Sequence, residues 1–257
     1  MALKILVLGK GNLGKAITNK LQTLGYETLC ISTRGLDQKF STTDLHFDIV
    51  VDCMDLSHDL YTNYEELQAR ILQIRSGNFS NLIFNKYCYI SSAGLYIPSN
   101  EIIYEDSPVY DFKDSGITPY LKNKIKTEYF LSKLLADRLI IMRPVSLWSY
   151  DSLGSKDGFF TDLLETRLNG TFLPLRPGDE NIISCMNYQD AAHVIVHVAA
   201  VKQQKINICN ITAWQWASRR VLKSPCFSES ISLQLGRRVS SLHYTKSQIT
   251  LSFHDLP

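Results

Sequence analysis

A glycine-rich turn between a strand and a helix constrains the fold of this chain more than any other feature. An apolar run at residues 3–8 leads directly into Gly9-Lys10-Gly11-Asn12-Leu13-Gly14, and an amphipathic helical pattern follows. In a Gly-x-Gly-x-x-Gly turn, the first glycine allows a sharp bend and the second lets a phosphate approach the backbone. The third glycine lets helix and strand pack closely. The turn therefore predicts that a pyrophosphate binds at the N-terminus of the first helix.

The end of the second predicted strand indicates which dinucleotide binds there. NAD sites usually have a carboxylate at this point, on the ribose 2′-hydroxyl. This chain has Ser32-Thr33-Arg34 instead, and a guanidinium suits a 2′-phosphate because it binds phosphate in bidentate fashion. We expect NADP in preference to NAD, although Arg34 is also compatible with an ordinary exposed loop. The expected cofactor contacts of the turn and this strand end are Gly9, Gly11, Asn12, Leu13, Gly14, Ser32, Thr33 and Arg34.

Strand-like and helical patterns alternate along the chain beyond the turn. The predicted strands are residues 3–8, 27–32, 48–52, 86–91, 138–143 and 205–209. The predicted helices are residues 13–24, 60–77, 120–136 and 191–201. This alternation predicts an α/β fold with a Rossmann-type doubly wound parallel sheet. The stretch between Arg34 and Asp48 is too short for a helix and a further strand, so we expect an abridged sheet there.

The chain is expected to divide into a larger and a smaller part. Residues 1–150 and 187–210 are assigned to the dinucleotide-binding Rossmann domain. Residues 151–186 and 211–257 are assigned to a small C-terminal lobe that binds the substrate.

A tyrosine and a lysine at helical spacing point to proton transfer. Tyr120 and Lys124 lie four residues apart at the start of a predicted helix, so both side chains lie on one face. An ammonium beside a phenol favours the phenolate, which can exchange a proton with a substrate hydroxyl or carbonyl. Ser92, at the end of a predicted strand, can bind the same oxygen. The predicted catalytic residues are therefore Ser92, Tyr120 and Lys124.

A second pair has the same spacing and must be weighed against the first. Tyr129 and Lys133 also form Tyr-x-x-x-Lys, but Tyr129 lies too close to Arg143 for a full helix, a turn and a strand between them. Tyr120 lies farther from Arg143 and directly follows a polar loop. We therefore assign Tyr120 to catalysis and expect Tyr129 to be a core or interface aromatic.

Several short motifs occur together in one order along the chain. They are Gly9–Gly14, Asp48–Asp52, Ser91–Tyr96, Glu105–Pro108, Tyr120–Lys124, Arg143-Pro144 and Tyr188–Ala192. In this order they resemble the extended short-chain dehydrogenase/reductase family, the NAD(P)-dependent epimerase/dehydratase branch. The Gly-x-Gly-x-x-Gly spacing is one residue shorter than the family's usual turn. It resembles an atypical, NADP-preferring group of sugar-nucleotide epimerase-like proteins.

The resemblance implies roles for individual residues. Ser92 corresponds to the family's active-site hydroxyl, Tyr120 to its acid/base, and Lys124 to the lysine that also holds the nicotinamide ribose. Cys53 stands where the family commonly has a small residue beside the cofactor. The implied activity is hydride transfer on a nucleotide sugar or a related carbonyl or hydroxyl compound. Reductase and epimerase both remain open, and the alternative is a non-catalytic NADP-binding regulatory or scaffold protein.

Composition and cysteine usage limit the partners. Hydrophobic residues make up 45% of the chain and the formal net charge is +2, so we expect a globular protein without membrane or nucleic-acid partners. None of the six cysteines form a Cys-x-x-Cys pair, and no secretory signal is evident, which favours the cytoplasm. His193 and His197 lie in an apolar helix without an acidic third ligand, so we expect no metal site.

The resemblance also implies a homodimer formed through the helices at 60–77 and 120–136. The residues that could form its apolar stripe are Leu67, Ile71, Ile125 and Tyr129. Burial of these residues within one chain is the alternative.

Overall fold

The computed structural model describes residues 2–32, 45–54, 82–98, 103–150, 156–157, 182–200, 208–211, 216–218, 241–243 and 250–252. Predicted features that lie outside these residues include two cofactor-site residues, one helix and two residues of the dimer stripe. They are Thr33, Arg34, the helix at 60–77 and the dimer-stripe residues Leu67 and Ile71.

The predicted strands and helices that lie within the described residues follow one another in the expected order, and further strands accompany them. The first strands are β1 Lys4–Leu8, β2 Glu27–Ile31, β3 Leu45–Asp52, β4 Leu82–Ile90, β5 Leu139–Pro144 and β6 Ser146–Tyr150. They are followed by β7 Lys156–Asp157, β8 Ile182–Asn187, β9 Ile208–Ile211, β10 Trp216–Ser218, β11 Ser241–His243 and β12 Thr250–Ser252. The described α-helices are α1 Asn12–Thr23, α2 Pro119–Leu135 and α3 Tyr188–Ala200. Short 3-10 turns span Ala93–Leu95 and Ala136–Arg138.

The main sheet has six strands in the order β2-β1-β3-β4-β5-β9. Strand β1 pairs in parallel with both β2 and β3, and β4 pairs in parallel with β3 and β5. The order of the strands reverses at β1 and β3, which is the switch point where open α/β sheets bind ligands. In the described part of the sheet β2 and β9 are the two edge strands. The predicted Rossmann-type parallel sheet with flanking helices is confirmed.

Burial on both faces of the sheet explains why its central strands are continuous apolar runs. The four residues Ile5 to Leu8 are inaccessible to solvent. Helix α1 buries Ala16, Ile17 and Leu21. Helix α2 contributes Leu131 and Leu135 to a cluster that also contains residues of β1, β3, β4 and β5. The ends of these parallel strands are therefore held in a rigid frame, from which the site residues project.

The bounds of some elements differ from the prediction for local reasons. Helix α3 begins at Tyr188, earlier than predicted, because the Asn187 side chain accepts a hydrogen bond from the Gln189 amide at 2.8 Å and caps the helix. Strands β3 and β4 begin earlier because they pair with each other from Leu45 and Leu82 onward. Strands β6 and β8, which the sequence did not predict, pair in parallel.

The chain forms two compact units. Unit 1 comprises Met1–Arg143 and Ala192–Asn210, and unit 2 comprises Pro144–Ala191 and Ile211–Pro257. Unit 2 contains a four-stranded sheet in the order β10-β8-β6-β7, and β11 and β12 pair as antiparallel strands. The domain boundaries expected at residues 150, 187 and 210 stay a prediction. Among the described helices, none combines the length and apolar character needed to cross a membrane.

Candidate active site

The glycine-rich turn lies between the carboxyl ends of β2 and β3. Gly9 has a positive φ of 99°, which favours glycine, and its amide donates to the Ile31 carbonyl at 2.8 Å. A Cβ atom on Gly9 would lie 2.9 Å from the Cys53 carbonyl oxygen. The bend therefore requires glycine both for its backbone angles and for its close approach to the strand beside it.

The other two glycines of the turn meet different surroundings. A Cβ atom on Gly14 would overlap the Gly9 carbonyl oxygen, so the third glycine allows α1 to pack on the turn. Around a Cβ atom on Gly11, by contrast, no described atom would lie within 4 Å. The second glycine thus borders open space at the N-terminus of α1.

This open space fits the pyrophosphate of a dinucleotide. Gly11 is the N-cap of α1 and has no side chain to occupy the first amides, and the first turn contains no acidic residue. Asn12 and Leu13 are half-buried in that first turn. An anion is favoured here because helix N-terminal amides and the helix dipole present positive charge to it. The residues present therefore suit a bound dinucleotide at the switch point of the sheet.

Ser32 directly follows β2 and is half-buried, next to the turn that begins with Gly9. It is the one member of the predicted 2′-phosphate site within the described residues.

The end of β3 is built around a buried carboxylate to which the sequence analysis assigned no role. Asp52 is inaccessible to solvent and accepts hydrogen bonds from the Met54 amide at 2.9 Å and the Tyr87 hydroxyl at 2.7 Å. These bonds fix the backbone around Cys53, whose carbonyl lies against Gly9. The available signal in the sequence was the acidic residue that ends the motif Asp48–Asp52.

The pKa of the Cys53 thiol depends on its burial and on charged groups near the end of β3. Burial raises the pKa of its thiol well above the ordinary value, and the Asp52 carboxylate raises it further. The Lys124 ammonium acts in the opposite direction and lowers the pKa of Cys53. The lysine from α2 therefore lies close enough to the end of β3 for its charge to act there.

Ser92 follows β4 and begins the 3-10 turn Ala93–Leu95. Its backbone is extended, and its Oγ accepts a hydrogen bond from the Gly94 amide at 3.1 Å. The side chain is half-buried. The hydroxyl proton is not used in this bond, so the group can still donate to a substrate oxygen.

Tyr120 and Lys124 lie in the first turns of α2. The helix begins with Thr118 as N-cap, whose hydroxyl accepts from the Leu121 amide at 3.3 Å, and with Pro119 in the first helical position. Tyr120 is half-buried. Lys124 is only 5% exposed, and its Nζ donates to the Ile90 carbonyl oxygen at 2.8 Å. The same Nζ lies 5.6 Å from the centroid of the Tyr120 ring.

These contacts collect the three predicted catalytic residues at the carboxyl end of β4. Lys124 binds the carbonyl of Ile90, and Ser92 follows two residues later. A Cβ atom on Gly94 would lie 3.3 Å from both Ser92 Oγ and the side chain of Leu121, the neighbour of Tyr120. A hydroxyl, a phenol and an ammonium in one place suit proton exchange with a bound hydroxyl or carbonyl group.

The rival pair lies on the outer face of α2. Tyr129 is 63% exposed, and its ring centroid lies 4.2 Å from Lys133 Nζ. The expectation that Tyr129 is a core aromatic is wrong, because its position on the helix faces away from the sheet. Its alternative role at an interface between chains stays a prediction, as does that of the half-buried Ile125.

A buried ion pair that the sequence did not predict adjoins the predicted catalytic residues. Arg143, at the end of β5, donates to both carboxylate oxygens of Glu128 on α2, at 3.0 and 2.6 Å. Burial lowers the pKa of Arg143, but the Glu128 carboxylate outweighs that effect and leaves the pKa above its ordinary value. The guanidinium lies 4.8 Å from the centroid of the Tyr96 ring. The Tyr96 hydroxyl donates to Asn210 Oδ1 at 2.7 Å.

Comparison with known proteins shows the fold. No family model matches the chain, and no curated protein matches it in sequence. Among solved structures, it is similar to a UDP-glucuronic acid 4-epimerase from Bacillus cereus in complex with UDP-glucuronic acid and NAD. The identity is 16%, the TM-score is 0.67, and 92% of this chain and 84% of the other are covered.

Two further structures give the same result. A UDP-N-acetylglucosamine 4-epimerase from Bacillus cereus has a TM-score of 0.65 at 14% identity, with 88% of this chain and 81% of the other covered. A dTDP-4-dehydrorhamnose reductase from Clostridium acetobutylicum has a TM-score of 0.60 at 19% identity, with 86% and 79% covered. These neighbours are enzymes of the extended short-chain dehydrogenase/reductase type. The chain has their fold, as its motifs led us to expect.

Proposed function

We propose that this protein is an NADP-dependent oxidoreductase or epimerase that acts on a nucleotide sugar or a related carbonyl or hydroxyl substrate. The observation on which the proposal rests is the placement of Lys124. Its buried ammonium lies beside the Tyr120 ring and binds the strand end that leads into Ser92. A buried ammonium close to a phenol suits a role toward that phenol and toward a ribose.

Each of the three residues has a distinct task in this proposal. A bound nicotinamide dinucleotide would supply the hydride donor or acceptor. Tyr120 moves the proton to or from the substrate oxygen, and Ser92 holds that oxygen by a hydrogen bond. Lys124 stabilises the phenolate that forms when Tyr120 gives up its proton, and it holds the nicotinamide ribose. Gly9, Gly11, Gly14 and Cys53 would line the site that holds the dinucleotide.

The proposed substrate class is taken from the solved structures that have a similar fold. Two of the similar structures are named for UDP sugars and one for a dTDP sugar. A small-molecule substrate of this kind needs no nucleic-acid or membrane partner, and we assign the protein to the cytoplasm. The protein is also proposed to form a homodimer. Its mass in solution tests this.

NADP is proposed over NAD because of Ser32-Thr33-Arg34. The similar UDP-glucuronic acid 4-epimerase is described with NAD. Titration of the protein with NADPH and NADH by nucleotide fluorescence tests the choice. Loss of a charge-assisted phosphate contact costs about 1.5–3 kcal/mol, so NADPH should bind about 10–150-fold more tightly than NADH. Equal affinities would refute the NADP assignment.

Catalysis is tested by two tyrosine variants measured side by side. Tyr120→Phe should lower turnover about 10²–10⁴-fold, the usual contribution of general acid/base catalysis, while NADPH still binds. Tyr129→Phe, on the outer face of the same helix, is the matched control and should leave turnover unchanged. NADPH oxidation with dTDP-4-dehydrorhamnose measures reduction, and conversion of UDP-glucuronic acid measures epimerisation.

The outcomes separate the proposal from its alternatives. A dead Tyr129→Phe enzyme beside an active Tyr120→Phe enzyme would mean that the assigned active site is wrong. Tight NADPH binding without turnover on a panel of keto-sugars would instead support a non-catalytic NADP-binding regulatory or scaffold protein.

A further inference from the structure

Tyr120, Lys124 and Glu128 form one column on α2, because they lie at successive spacings of four residues. The third member is not part of the predicted catalytic set. Glu128 is buried and receives two parallel hydrogen bonds from the Arg143 guanidinium. Such a two-point contact between planar groups sets the direction as well as the distance of the interaction.

The two halves of α2 are held in place by different kinds of contact. The C-terminal half buries Leu131 and Leu135 in the core. The buried side chains of the N-terminal half are all polar, namely Asn123, Lys124, Thr127 and Glu128. Apolar packing is non-directional, and in this half it is provided only by partly exposed side chains. The position of the N-terminal half therefore depends on its polar contacts.

Two of these polar contacts reach neighbouring strand ends. Lys124 binds the Ile90 carbonyl at the end of β4, and Glu128 binds Arg143 at the end of β5. Ile90 pairs with Met142, the residue before Arg143, so the two anchor points are adjacent in the sheet. Arg143 is itself held against the Tyr96 ring, and Tyr96 is bonded to Asn210 on β9.

We propose that Glu128 and Arg143 are positioning residues, whose buried ion pair orients the N-terminal half of α2 and so places Lys124 and Tyr120. The inference rests on the proposed function, because it assigns a purpose to the positions of those two side chains. Glu128 and Arg143 touch neither substrate nor cofactor in this proposal. They act by fixing the positions of the Lys124 ammonium and the Tyr120 phenol.

The direct measurement is the reactivity of Lys124 toward acetic anhydride, followed by mass spectrometry. Lys124 is buried and bonded, whereas Lys126 on the same helix is exposed and serves as the internal reference. In the native protein Lys124 should be acetylated far more slowly than Lys126. This readout does not require turnover, so it is independent of the proposed function.

Three variants of the full chain are compared with the native protein. Glu128→Gln with Arg143→Met removes both charges and leaves no buried charge unpaired, so the chain should still fold. Arg143→Lys keeps the positive charge but removes the planar guanidinium that makes two parallel hydrogen bonds to Glu128. Glu27→Gln removes the carboxylate of an exposed ion pair with Lys4, 3.3 Å long, and is the matched control. Thermal unfolding followed by circular dichroism reports whether each variant is folded.

We expect the double variant and Arg143→Lys to be folded, with Lys124 acetylated several-fold faster relative to Lys126. Their kcat should fall about 100-fold, as for a catalytic group displaced by about 1 Å, with KM little changed. Glu27→Gln should behave as the native protein does. If the double variant cannot fold, Arg143→Lys decides the question in the same way.

A folded double variant in which Lys124 stays as protected as in the native protein would overturn the inference. The ion pair would then contribute to stability alone. Faster acetylation of Lys124 with unchanged turnover would support the positioning role and refute the proposed function of Lys124. Lost turnover with unchanged acetylation would refute the positioning role and leave the proposed function intact.

Discussion

At the scale of the residue, the three glycines of the turn are needed for three different physical reasons. Gly9 has a backbone angle and a neighbour that exclude a side chain, and Gly14 packs against the carbonyl of Gly9. Gly11 has an ordinary φ of −75° and open space around it. The folded chain alone therefore does not require glycine at position 11, whereas a ligand that approaches the backbone there does.

Alanine substitutions should separate these roles. Gly11→Ala should lower the free energy of unfolding by no more than about 1 kcal/mol, because alanine is a poorer N-cap than glycine. It should weaken NADPH binding about tenfold or more, because the new methyl group occupies the space that the pyrophosphate needs. Gly14→Ala is the contrasting variant and should lose about 1–3 kcal/mol of stability through overpacking. Chemical denaturation and NADPH fluorescence titration measure the two effects.

An unchanged affinity of Gly11→Ala for NADPH would contradict the assignment of this turn to the dinucleotide. The Gly14 variant would still report correctly on packing, because its predicted effect is on the chain itself.

At the scale of the element, α2 contains the predicted catalytic residues Tyr120 and Lys124, and separate contacts begin, hold and end this helix. Thr118 and Pro119 begin it, and two polar contacts hold the half that contains Tyr120. Its end is strained, because Ala136 has a φ of 45°, a left-handed backbone angle that favours glycine. The helix therefore stops abruptly before β5 begins.

Replacing Ala136 by glycine should relieve the backbone strain at the end of α2. A non-glycine residue at positive φ costs about 1–2 kcal/mol, and glycine's flexibility in the unfolded chain costs about 0.4–1 kcal/mol. Ala136→Gly should therefore stabilise the protein by up to about 1 kcal/mol. Gly25→Ala is the matched reverse change, because Gly25 has a φ of 78° with no described atom within 4 Å of an added Cβ. It should destabilise by a similar amount, and urea unfolding of the two variants measures both changes.

A loss of stability in Ala136→Gly would show that the backbone at the end of α2 is not strained. The Gly25 variant calibrates the cost of a methyl group at positive φ in the same protein.

At the scale of the whole molecule, the buried sheet contains ionisable groups that must stay neutral. Cys88 lies in β4 and is inaccessible to solvent, and burial raises its pKa from 9.0 to about 12. Burial also raises the pKa of Tyr96 and that of Cys53. These groups keep their protons in the folded chain at a pH where the unfolded chain has lost them. High pH therefore favours the unfolded state.

This linkage predicts a loss of stability in alkali. Between pH 9 and about 12 the folded chain binds more protons than the unfolded chain at Cys88, so stability falls as pH rises. The slope for one such group is at most about 1.4 kcal/mol per pH unit. Cys88→Ala should lower stability at pH 8 but reduce the slope above pH 9. Urea unfolding across this range measures the slope.

Val7→Ala is the control for the cavity that the cysteine variant leaves. Val7 is a buried, non-ionisable residue on β1, so its truncation should lower stability equally at every pH. A native slope in Cys88→Ala would contradict the prediction that this thiol is protonated throughout the range.

The sequence by itself determined the features that depend on neighbours along the chain. The spacing of Gly9, Gly11 and Gly14 predicted the turn, because the local backbone geometry determines where glycine is needed. Apolar periodicity predicted the strands of the parallel sheet and α2. The four-residue spacing of Tyr120 and Lys124 placed both on one face of that helix. In each case the physical cause acts over a few residues, so the feature can be predicted from the sequence alone.

Only the tertiary structure decided which distant groups meet. Asp52 binds Tyr87 at a separation of 35 residues, and Tyr96 binds Asn210 at 114. Glu128 meets Arg143 because β5 lies beside β4, and nothing in the intervening sequence specifies that neighbour. The exposure of Tyr129 has the same origin, because the sheet covers only one side of α2. Such partners are chosen by the order of strands in the sheet, which sets the distances between groups that the chain itself keeps far apart.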